Sequence, residues 1–195
     1  MILGLTGTIC SGKSEIASYL KEKGFKYLTL SDLIREEAKK RNMPIEREIL
    51  QDIGNELRKE QGNGYWAGIA KERIDPKQKW VIDGIRNTGE IDELRKLQNF
   101  FLIGVDAPRE VRIIRIEKRK RVIDGRIYSD PDSKEEFKKV ESRDRGLGEP
   151  EHGQQVLNCL KKADFLVMND TTISKLQEKI EEILTKIYPK RSYGL

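Results

Sequence analysis

A glycine-rich stretch near the start of the chain carries residue types that bind nucleotide phosphates. It reads GTICSGKS over residues 7–14 and fits the pattern G-x-x-x-x-G-K-[ST], known as the P-loop. The two glycines allow a tightly curled backbone, so that several N–H groups can converge on one anion. The stretch therefore predicts a binding site for the phosphates of ATP.

Each residue of this P-loop has a separate expected role. Lys13 offers a mobile positive charge to the β- and γ-phosphates, and Ser14 offers a hydroxyl to Mg²⁺. ATP and Mg²⁺ are therefore the expected cofactors. The positions expected to contribute to ATP binding beside these two are Gly7, Cys10, Ser11 and Gly12.

The elements on both sides can hold the P-loop in place. Residues 1–6 form a short uncharged run typical of a buried strand, and residues 15–23 have helical character. Further strand-length apolar runs alternate with helical segments, which indicates a parallel sheet covered by helices on both faces. These further strands are predicted at 25–30, 79–83, 100–106 and 164–168.

Polar residues follow the predicted strands at the positions where ligands bind in parallel sheets. They are Ser31–Asp32, Asp83 to Arg86, Asp106 and Asn169–Asp170. Because the carboxyl ends of parallel strands share one edge, we expect these side chains to surround one ligand site. Ser31–Asp32 is also predicted to cap the helix that follows, and Pro44 to open the next helix.

The composition fits one α/β domain that handles small charged molecules. The chain has 195 residues, 36% of them hydrophobic and 36% charged, with a net charge of +5. Two cysteines and one histidine argue against a disulfide framework or a zinc site. No signal peptide or membrane-spanning run is visible, so we expect a cytoplasmic protein without a membrane partner.

The motifs and their order resemble those of nucleoside monophosphate kinases of the adenylate kinase type. The likeness is closer to the small P-loop kinases related to dephospho-CoA kinase and to deoxynucleoside monophosphate kinases. SDLIR at 31–35 resembles the family's GDLLR segment, and VIDGIR at 81–86 resembles LLDGFPR. DAP at 106–108 resembles the D-x-P strand end, and ADFLVMND at 163–170 resembles the strand and loop beside the donor base.

This resemblance implies a three-layer α/β/α P-loop kinase fold with five parallel strands in the order 2-3-1-4-5. It also implies that Asp83 holds Mg²⁺ through water, with Ser14 as a further ligand. The residues expected beside ATP outside the P-loop are Arg115, Asn169 and Asp170. The residues expected beside the acceptor are Asp32, Arg35, Asp83, Arg86 and Arg143. The expected catalytic residues are Lys13, Asp32, Arg86, Arg115 and Arg119.

The chain also departs from the family pattern. The DGIR segment lacks the proline that usually precedes the arginine. Helices over about 31–75 match the acceptor-binding insertion within a single domain of residues 1–195, but the predicted lid at 121–137 is short and has no zinc cysteines. The segment 143–155 has no counterpart that we can place in adenylate kinase. These departures leave the identity of the acceptor open.

Three functions are compatible with these observations. We expect transfer of the γ-phosphoryl group of ATP to a small phosphate-containing acceptor, in the first place a (deoxy)nucleoside monophosphate. Dephospho-CoA kinase is the alternative within this class, because Asp32 could act as a base for a hydroxyl acceptor. A non-catalytic ATP-binding regulatory module is the alternative outside it, with the basic helix after Pro108 as a surface for nucleic acid.

Two further expectations concern other classes and partners. A GTPase is disfavoured, because the base-recognition motif N-K-x-D is absent from the chain. We expect small nucleotides as partners, rather than nucleic acid, and a monomer or a homodimer.

Overall fold

The computed structural model describes residues 1–119 and 134–188, together with their side chains except those of residues 117–119 and 134. Strands and helices alternate through these ranges, and none of the helices there combines the length and apolar character needed to cross a membrane. In chain order the elements are β1 (Ile2–Gly7), α1 (Lys13–Glu22), β2 (Lys26–Thr29), α2 (Leu30–Lys40), α3 (Arg47–Gln61), α4 (Tyr65–Arg73), β3 (Trp80–Ile85), α5 (Thr88–Leu94), β4 (Phe100–Asp106), α6 (Arg109–Arg119), α7 (Lys134–Arg145), α8 (Val156–Lys161), β5 (Phe165–Met168) and α9 (Ile173–Ile187).

The strands form one parallel sheet in the order β2-β3-β1-β4-β5, which confirms the predicted three-layer P-loop kinase fold. β1 lies at the centre, paired with β3 on one side and with β4 on the other. The P-loop follows β1 directly. It therefore opens at the middle of the carboxyl edge, where parallel sheets bind their ligands.

The central strand β1 is buried on both faces, and its residues join two separate cores. Ile2 packs with Trp66 and other apolar residues of α2–α5 on one face. Leu3 and Leu5 pack with α1 and α9, including Ile180, on the other face. These two helical layers explain why the first residues of the chain are an uncharged run without polar alternation.

The start of α2 differs from the prediction. The helix begins at Leu30, and the side chain of Thr29 accepts a hydrogen bond from the backbone N–H of Ser31 at 3.2 Å. Thr29 has an extended backbone and caps the helix, so the prediction that Ser31–Asp32 caps it was wrong. Asp32 instead lies in the first turn, where its carboxylate pairs with Arg35.

Helix α3 begins at Arg47, and the prediction that Pro44 opens it was also wrong. Glu46 has an extended backbone and precedes the first turn, which leaves Pro44 in the connecting loop. Near its end, α3 carries a buried ion pair. Nε of Arg58 donates to Oε1 of Glu90 at 2.8 Å, and neither side chain is more than 1% exposed.

Glu90 connects three elements through this pair. Its other carboxylate oxygen accepts hydrogen bonds from the backbone N–H groups of Arg86 at 2.8 Å and Asn87 at 3.0 Å. Asn87 and Glu90 together form a capping box at the start of α5. The carboxylate therefore ties α3 to the end of β3, and its removal would leave the charge of Arg58 buried without a partner.

We predict that Glu90→Ala lowers the free energy of unfolding by about 3–5 kcal/mol, because it strands a buried arginine charge. Glu93→Ala is the matched control, since Glu93 lies one turn further along α5 and pairs with Lys71 and Lys96, which are both partly exposed. Loss of such surface pairs costs about 1 kcal/mol or less. Urea unfolding of both variants measures the difference, and equal losses would contradict the structural role of Glu90.

Candidate active site

The P-loop follows a path that requires glycine at two positions. Gly7 has a φ of 152°, and a Cβ there would lie 2.0 Å from the carbonyl oxygen of Val105. Gly12 has a φ of 103°, and a Cβ there would lie 2.2 Å from Nδ2 of Asn169. A side chain at either position would push the neighbouring segment away, so these glycines determine the shape of the loop.

Two further features suit this loop to the phosphates of ATP. The hydroxyl oxygen of Ser11 is buried without a hydrogen-bond partner among the residues that the structure describes. Helix α1 begins at Lys13, and Gly12 before it provides no side-chain cap. An unsatisfied buried hydroxyl and an uncapped helix N-terminus both favour an anionic ligand, so the residues present fit the triphosphate.

The side chain of Lys13 folds back across the loop. Its Nζ donates to the carbonyl oxygens of Gly7 at 2.6 Å and Thr8 at 2.9 Å. Burial lowers the pKa of Lys13, while the carboxylates of Asp83 and Asp144 oppose that shift. Phosphate oxygens carry full negative charge and could replace the two carbonyls as partners of the ammonium group.

Arg115 and Asn169 bind carbonyl groups of the P-loop. Arg115 donates to the carbonyl oxygens of Cys10 at 3.2 Å and Asn169 at 3.0 Å. Nδ2 of Asn169 donates to the carbonyl oxygen of Ser11 at 2.8 Å. These bonds restrain the peptide units of the loop and so the direction of their N–H groups. The structure thus places both predicted residues against the loop, through its backbone.

An open cleft lies between α2, α3 and the end of β3. Four arginines line it, and no carboxylate does so among the described residues, which favours an anionic ligand. Its lining residues are Ser31, Ile34, Arg35, Arg47, Leu50, Gln51, Gly54, Arg58, Arg86 and Gln154. Arg35 and Arg86 were predicted beside the acceptor, and the cleft brings them together.

One face of α3 supplies a polar wall of this cleft. Arg47, Gln51, Gly54 and Arg58 follow one another at the spacing i, i+4, i+7 and i+11, which places them on the same side of a helix. Sequence reasoning missed them, because no family motif covers this segment. A polar stripe that contains a glycine and repeats at the helical period was the signal that could have found them.

A buried carboxylate fixes Arg86 at the wall of the cleft. The guanidinium of Arg86 donates to Asp144, a residue of α7 without exposed surface. The side chain of Arg86 is 22% exposed. A guanidinium has five N–H donors, so Arg86 can keep Asp144 as a partner and still bind a phosphate. Asp144 was not predicted as a site residue, because its position beside Arg86 depends on how α7 packs.

Asp32 and Asp83 each pair with a different side chain, Arg35 and Tyr27 respectively. Asp32 is 60% exposed and its carboxylate is 2.7 Å from the guanidinium of Arg35. Asp83 accepts hydrogen bonds from the hydroxyl of Tyr27 at 3.1 Å and from the backbone N–H of Gly84 at 2.6 Å. Burial, and after it the negative charge of Asp83, raises the pKa of Tyr27.

The donor set fits magnesium held mainly by phosphate oxygens. No group of three or more metal-binding side chains occurs in the described ranges 1–119 and 134–188. Mg²⁺ in phosphoryl-transfer sites keeps several waters and takes only one or two protein ligands beside the substrate phosphates. Ser14 at the start of α1 and Asp83 at the end of β3 are oxygen donors of the required kind.

Helix α7, which follows the undescribed part of the predicted lid, packs against the P-loop. Residues 121–133 of that lid lie outside the described residues, and α7 follows them. Phe137, predicted as the end of the lid, is buried against Cys10 of the P-loop. Glu141 accepts a hydrogen bond from Arg112, which also donates to a P-loop carbonyl at 3.5 Å.

Two other predicted residues, Asp170 and Arg143, do not line the cleft, and the side chain of a third is not described. Asp170 is exposed, and its carboxylate is 3.7 Å from Nζ of Lys179. Arg143 does not line the cleft and pairs with Glu149 at 2.9 Å. Arg119 ends α6, and its side chain lies outside the described part of the chain. Ligand-binding roles for these three remain predictions.

Comparison with protein families and relatives places the chain among P-loop proteins. A family model described as an AAA domain matches residues 3–140. A UPF0200 protein of Sulfurisphaera tokodaii is 34% identical over 186 residues, which cover 95% of this chain and 97% of the relative. A UPF0200 protein of Pyrococcus horikoshii is 32% identical over 194 residues, which cover 96% and 97%.

Solved structures share the fold at low sequence identity. Shikimate kinase from Aquifex aeolicus aligns over 100% of both chains with a TM-score of 0.52 and 15% identity. TT1252 from Thermus thermophilus aligns over 95% of this chain and 97% of its own, with a TM-score of 0.56 and 21% identity. At these identities the likeness supports the P-loop kinase fold alone.

We predict that Asn169→Ala weakens Mg·ATP binding about tenfold, since the loss of a buried hydrogen bond costs about 1–3 kcal/mol. The Ser11 carbonyl would lose its amide donor, and the loop would be less restrained. Glu178→Ala, on the exposed side of α9, is the control that should leave binding unchanged. Calorimetric titration measures both affinities, and equal values would show that Asn169 does not shape the loop.

Proposed function

The chain belongs to the AAA domain family and to the UPF0200 proteins, and from this premise we propose that it is an ATP-dependent phosphotransferase. Its acceptor in this proposal is a small phosphate-containing molecule, and specifically a (deoxy)nucleoside monophosphate. The P-loop would hold the donor, and the arginine-lined cleft would hold the acceptor phosphate. Four arginines without a lining carboxylate suit an acceptor that carries the two negative charges of a phosphate.

The observation that carries this proposal is the closeness of the P-loop lysine to the arginine cleft. β3 pairs with β1, with Ile85 opposite Thr6, so Arg86 after β3 lies beside the start of the P-loop. Burial, and to a smaller extent the charge of Arg86, lowers the pKa of Lys13. Arg86 also lines the cleft, so a phosphate held there would face the phosphates held by Lys13. Two neighbouring phosphate sites are what in-line phosphoryl transfer requires of a protein.

In this proposal the residues of the chain bind and orient the two substrates. The P-loop amides and Lys13 hold the β- and γ-phosphates, while Arg86 and Arg35 hold the acceptor phosphate. An acceptor oxygen bonds to the γ-phosphorus as the bond to the β,γ-bridging oxygen breaks, and ADP leaves. That oxygen is already ionised, so no general base is needed. Mg²⁺ at Ser14 and Asp83 would neutralise charge on the β- and γ-phosphates.

A hydroxyl acceptor, as in dephospho-CoA kinase, is the second candidate. It is favoured by the exposed carboxylate of Asp32. Asp32 follows Ser31 in the chain and pairs with Arg35, and Ser31 and Arg35 both line the cleft. A carboxylate in that position could take the proton of a hydroxyl, which a phosphate acceptor does not require.

A panel of acceptors with Mg·ATP, scored by ADP formation, tests the proposed activity. We expect rapid ADP formation only when a phosphate-containing acceptor is present, because water must be kept from the γ-phosphate. Lys13→Ala should abolish turnover, while Lys175→Ala on the surface of α9 should not. ATP binding with no turnover on any acceptor, together with salt-sensitive DNA binding, would instead support a regulatory module.

The two acceptor classes predict opposite rankings for two single variants. For a phosphate acceptor, Arg86→Ala should lower kcat/KM by an amount equivalent to a loss of about 2–5 kcal/mol in transition-state stabilisation. Asp32→Asn should lower kcat/KM less. For a hydroxyl acceptor, Asp32→Asn should be the more damaging change, since a general base contributes about 10²–10⁴-fold.

Arg86→Ala also leaves Asp144 buried without a partner, so its thermal unfolding is measured alongside activity. Arg86→Lys keeps a positive charge beside Asp144 and loses only the forked geometry that binds phosphate through two hydrogen bonds. We expect Arg86→Lys to raise the acceptor KM while the fold is retained. A larger loss in kcat/KM at Asp32 than at Arg86 would favour dephospho-CoA kinase.

A further inference from the structure

Two glutamines line the arginine cleft and are almost completely buried. Gln51 on α3 is 5% exposed, and Gln154 in the loop before α8 is 4% exposed. Their side chains meet, with 3.4 Å between Nε2 of Gln51 and Oε1 of Gln154. The two carboxamides thus form one polar surface in a cleft that otherwise offers arginines, a serine and apolar groups.

The loop that carries Gln154 is held firmly against the end of β3. The backbone N–H of Gln155 donates to the carbonyl oxygen of Arg86 at 2.6 Å. Nδ2 of Asn87 donates to the carbonyl oxygens of Glu151 at 2.9 Å and Gly153 at 2.8 Å. The segment without a counterpart in adenylate kinase therefore has a defined place, and it brings a carboxamide to the cleft in a preorganised position.

The glutamine pair has hydrogen-bonding capacity that the described protein does not use. Oε1 of Gln51 is buried and has no hydrogen-bond partner among the described residues. Nε2 of Gln154 makes no hydrogen bond to another described residue. A buried carboxamide oxygen without a partner is costly, and native structures rarely keep one unless a ligand or water supplies the donor.

We propose that Gln51 and Gln154 form a subsite that binds the nucleobase of the acceptor. This inference rests on the proposed function, which places the acceptor phosphate at Arg86. The pair leaves the Oε1 acceptor of Gln51 and the Nε2 donor group of Gln154 unfilled. Each nucleobase presents an edge where a donor lies beside an acceptor. Glutamine carboxamides bind such edges through two hydrogen bonds, as with adenine N6 and N7.

A bare phosphate or a sugar phosphate gives the glutamines nothing comparable to bind. The arginines of the cleft wall can bind the phosphate, and a carboxamide pair adds no charge to attract an anion. The arrangement separates two tasks along the cleft. Arg86 and its neighbours bind the phosphate, and Gln51 with Gln154 distinguish acceptors that carry a base from those that do not.

Binding of nucleoside monophosphates and of ribose 5-phosphate tests this subsite, because ribose 5-phosphate keeps the sugar and phosphate and lacks the base. The wild-type protein should bind its best nucleoside monophosphate about 10–100-fold more tightly than ribose 5-phosphate. Gln51→Leu and Gln154→Leu should each reduce this ratio to about threefold or less by removing the base contacts. Neither should change the affinity for ribose 5-phosphate.

Gln155→Leu is the matched control. Its side chain lies one residue further along the same loop, does not line the cleft, and donates to the carbonyl oxygen of Glu151 at 3.0 Å. The ratio should stay at the wild-type value in this variant. If Gln51→Leu does not fold, Gln51→Asn takes its place. Asparagine keeps the carboxamide, but its shorter side chain holds that group further from the base.

The outcomes separate the subsite from the proposed activity. Wild-type ratios in both glutamine variants would overturn the subsite and leave phosphoryl transfer at Arg86 standing. If the wild-type protein binds neither ligand and forms no ADP with any phosphate acceptor, both the subsite and the proposed function fail. Equal wild-type affinity for ribose 5-phosphate and every nucleoside monophosphate would also overturn the subsite.

Discussion

Three arginine–carboxylate pairs of the described residues, each with a buried carboxylate, hold the parts of this site together. They are Arg58–Glu90, Arg86–Asp144 and Arg112–Glu141. The first joins α3 to α5, the second joins the end of β3 to α7, and the third joins α6 to α7. A buried charge is strongly destabilising without its partner, so each pair is satisfied only when its two elements are correctly placed.

These pairs also prepare the cleft for its ligand. Arg58 and Arg86 both line the cleft, and each is oriented by a carboxylate that lies behind it. Donors that are already positioned need little reorganisation when charge arrives, which is the main electrostatic contribution of a protein to phosphoryl transfer. The same carboxylates reduce the net attraction for a bare anion, so the proposed preference for a nucleotide rests on additional contacts, those of Gln51 and Gln154.

Predictions from neighbouring residues succeeded where the chemistry itself is local. The strand–loop–helix order around Lys13 and the five-stranded parallel sheet are as predicted. Glycine spacing and apolar runs determine such local structure within a few residues. The predictions that Ser31–Asp32 caps α2 and that Pro44 opens α3 were wrong. Several neighbouring residues can cap a helix, and the position where β2 ends makes Thr29 the cap of α2. Arg143 was predicted beside the acceptor; it pairs with Asp52 and Glu149 and does not line the cleft, so its binding role stays a prediction.

The sequence by itself determined the P-loop of this protein. Residues 7–14 contain the glycines, the lysine and the serine of the motif, and a contiguous motif carries its geometry with it. Only the tertiary structure decided the arginine cleft that we propose for the acceptor. Gln51 and Gln154 are 103 positions apart, and Arg86 and Asp144 are 58 apart. Helical periodicity shows that α3 has a polar face, but which loop and which carboxylate meet that face depends on how the helices pack over the sheet.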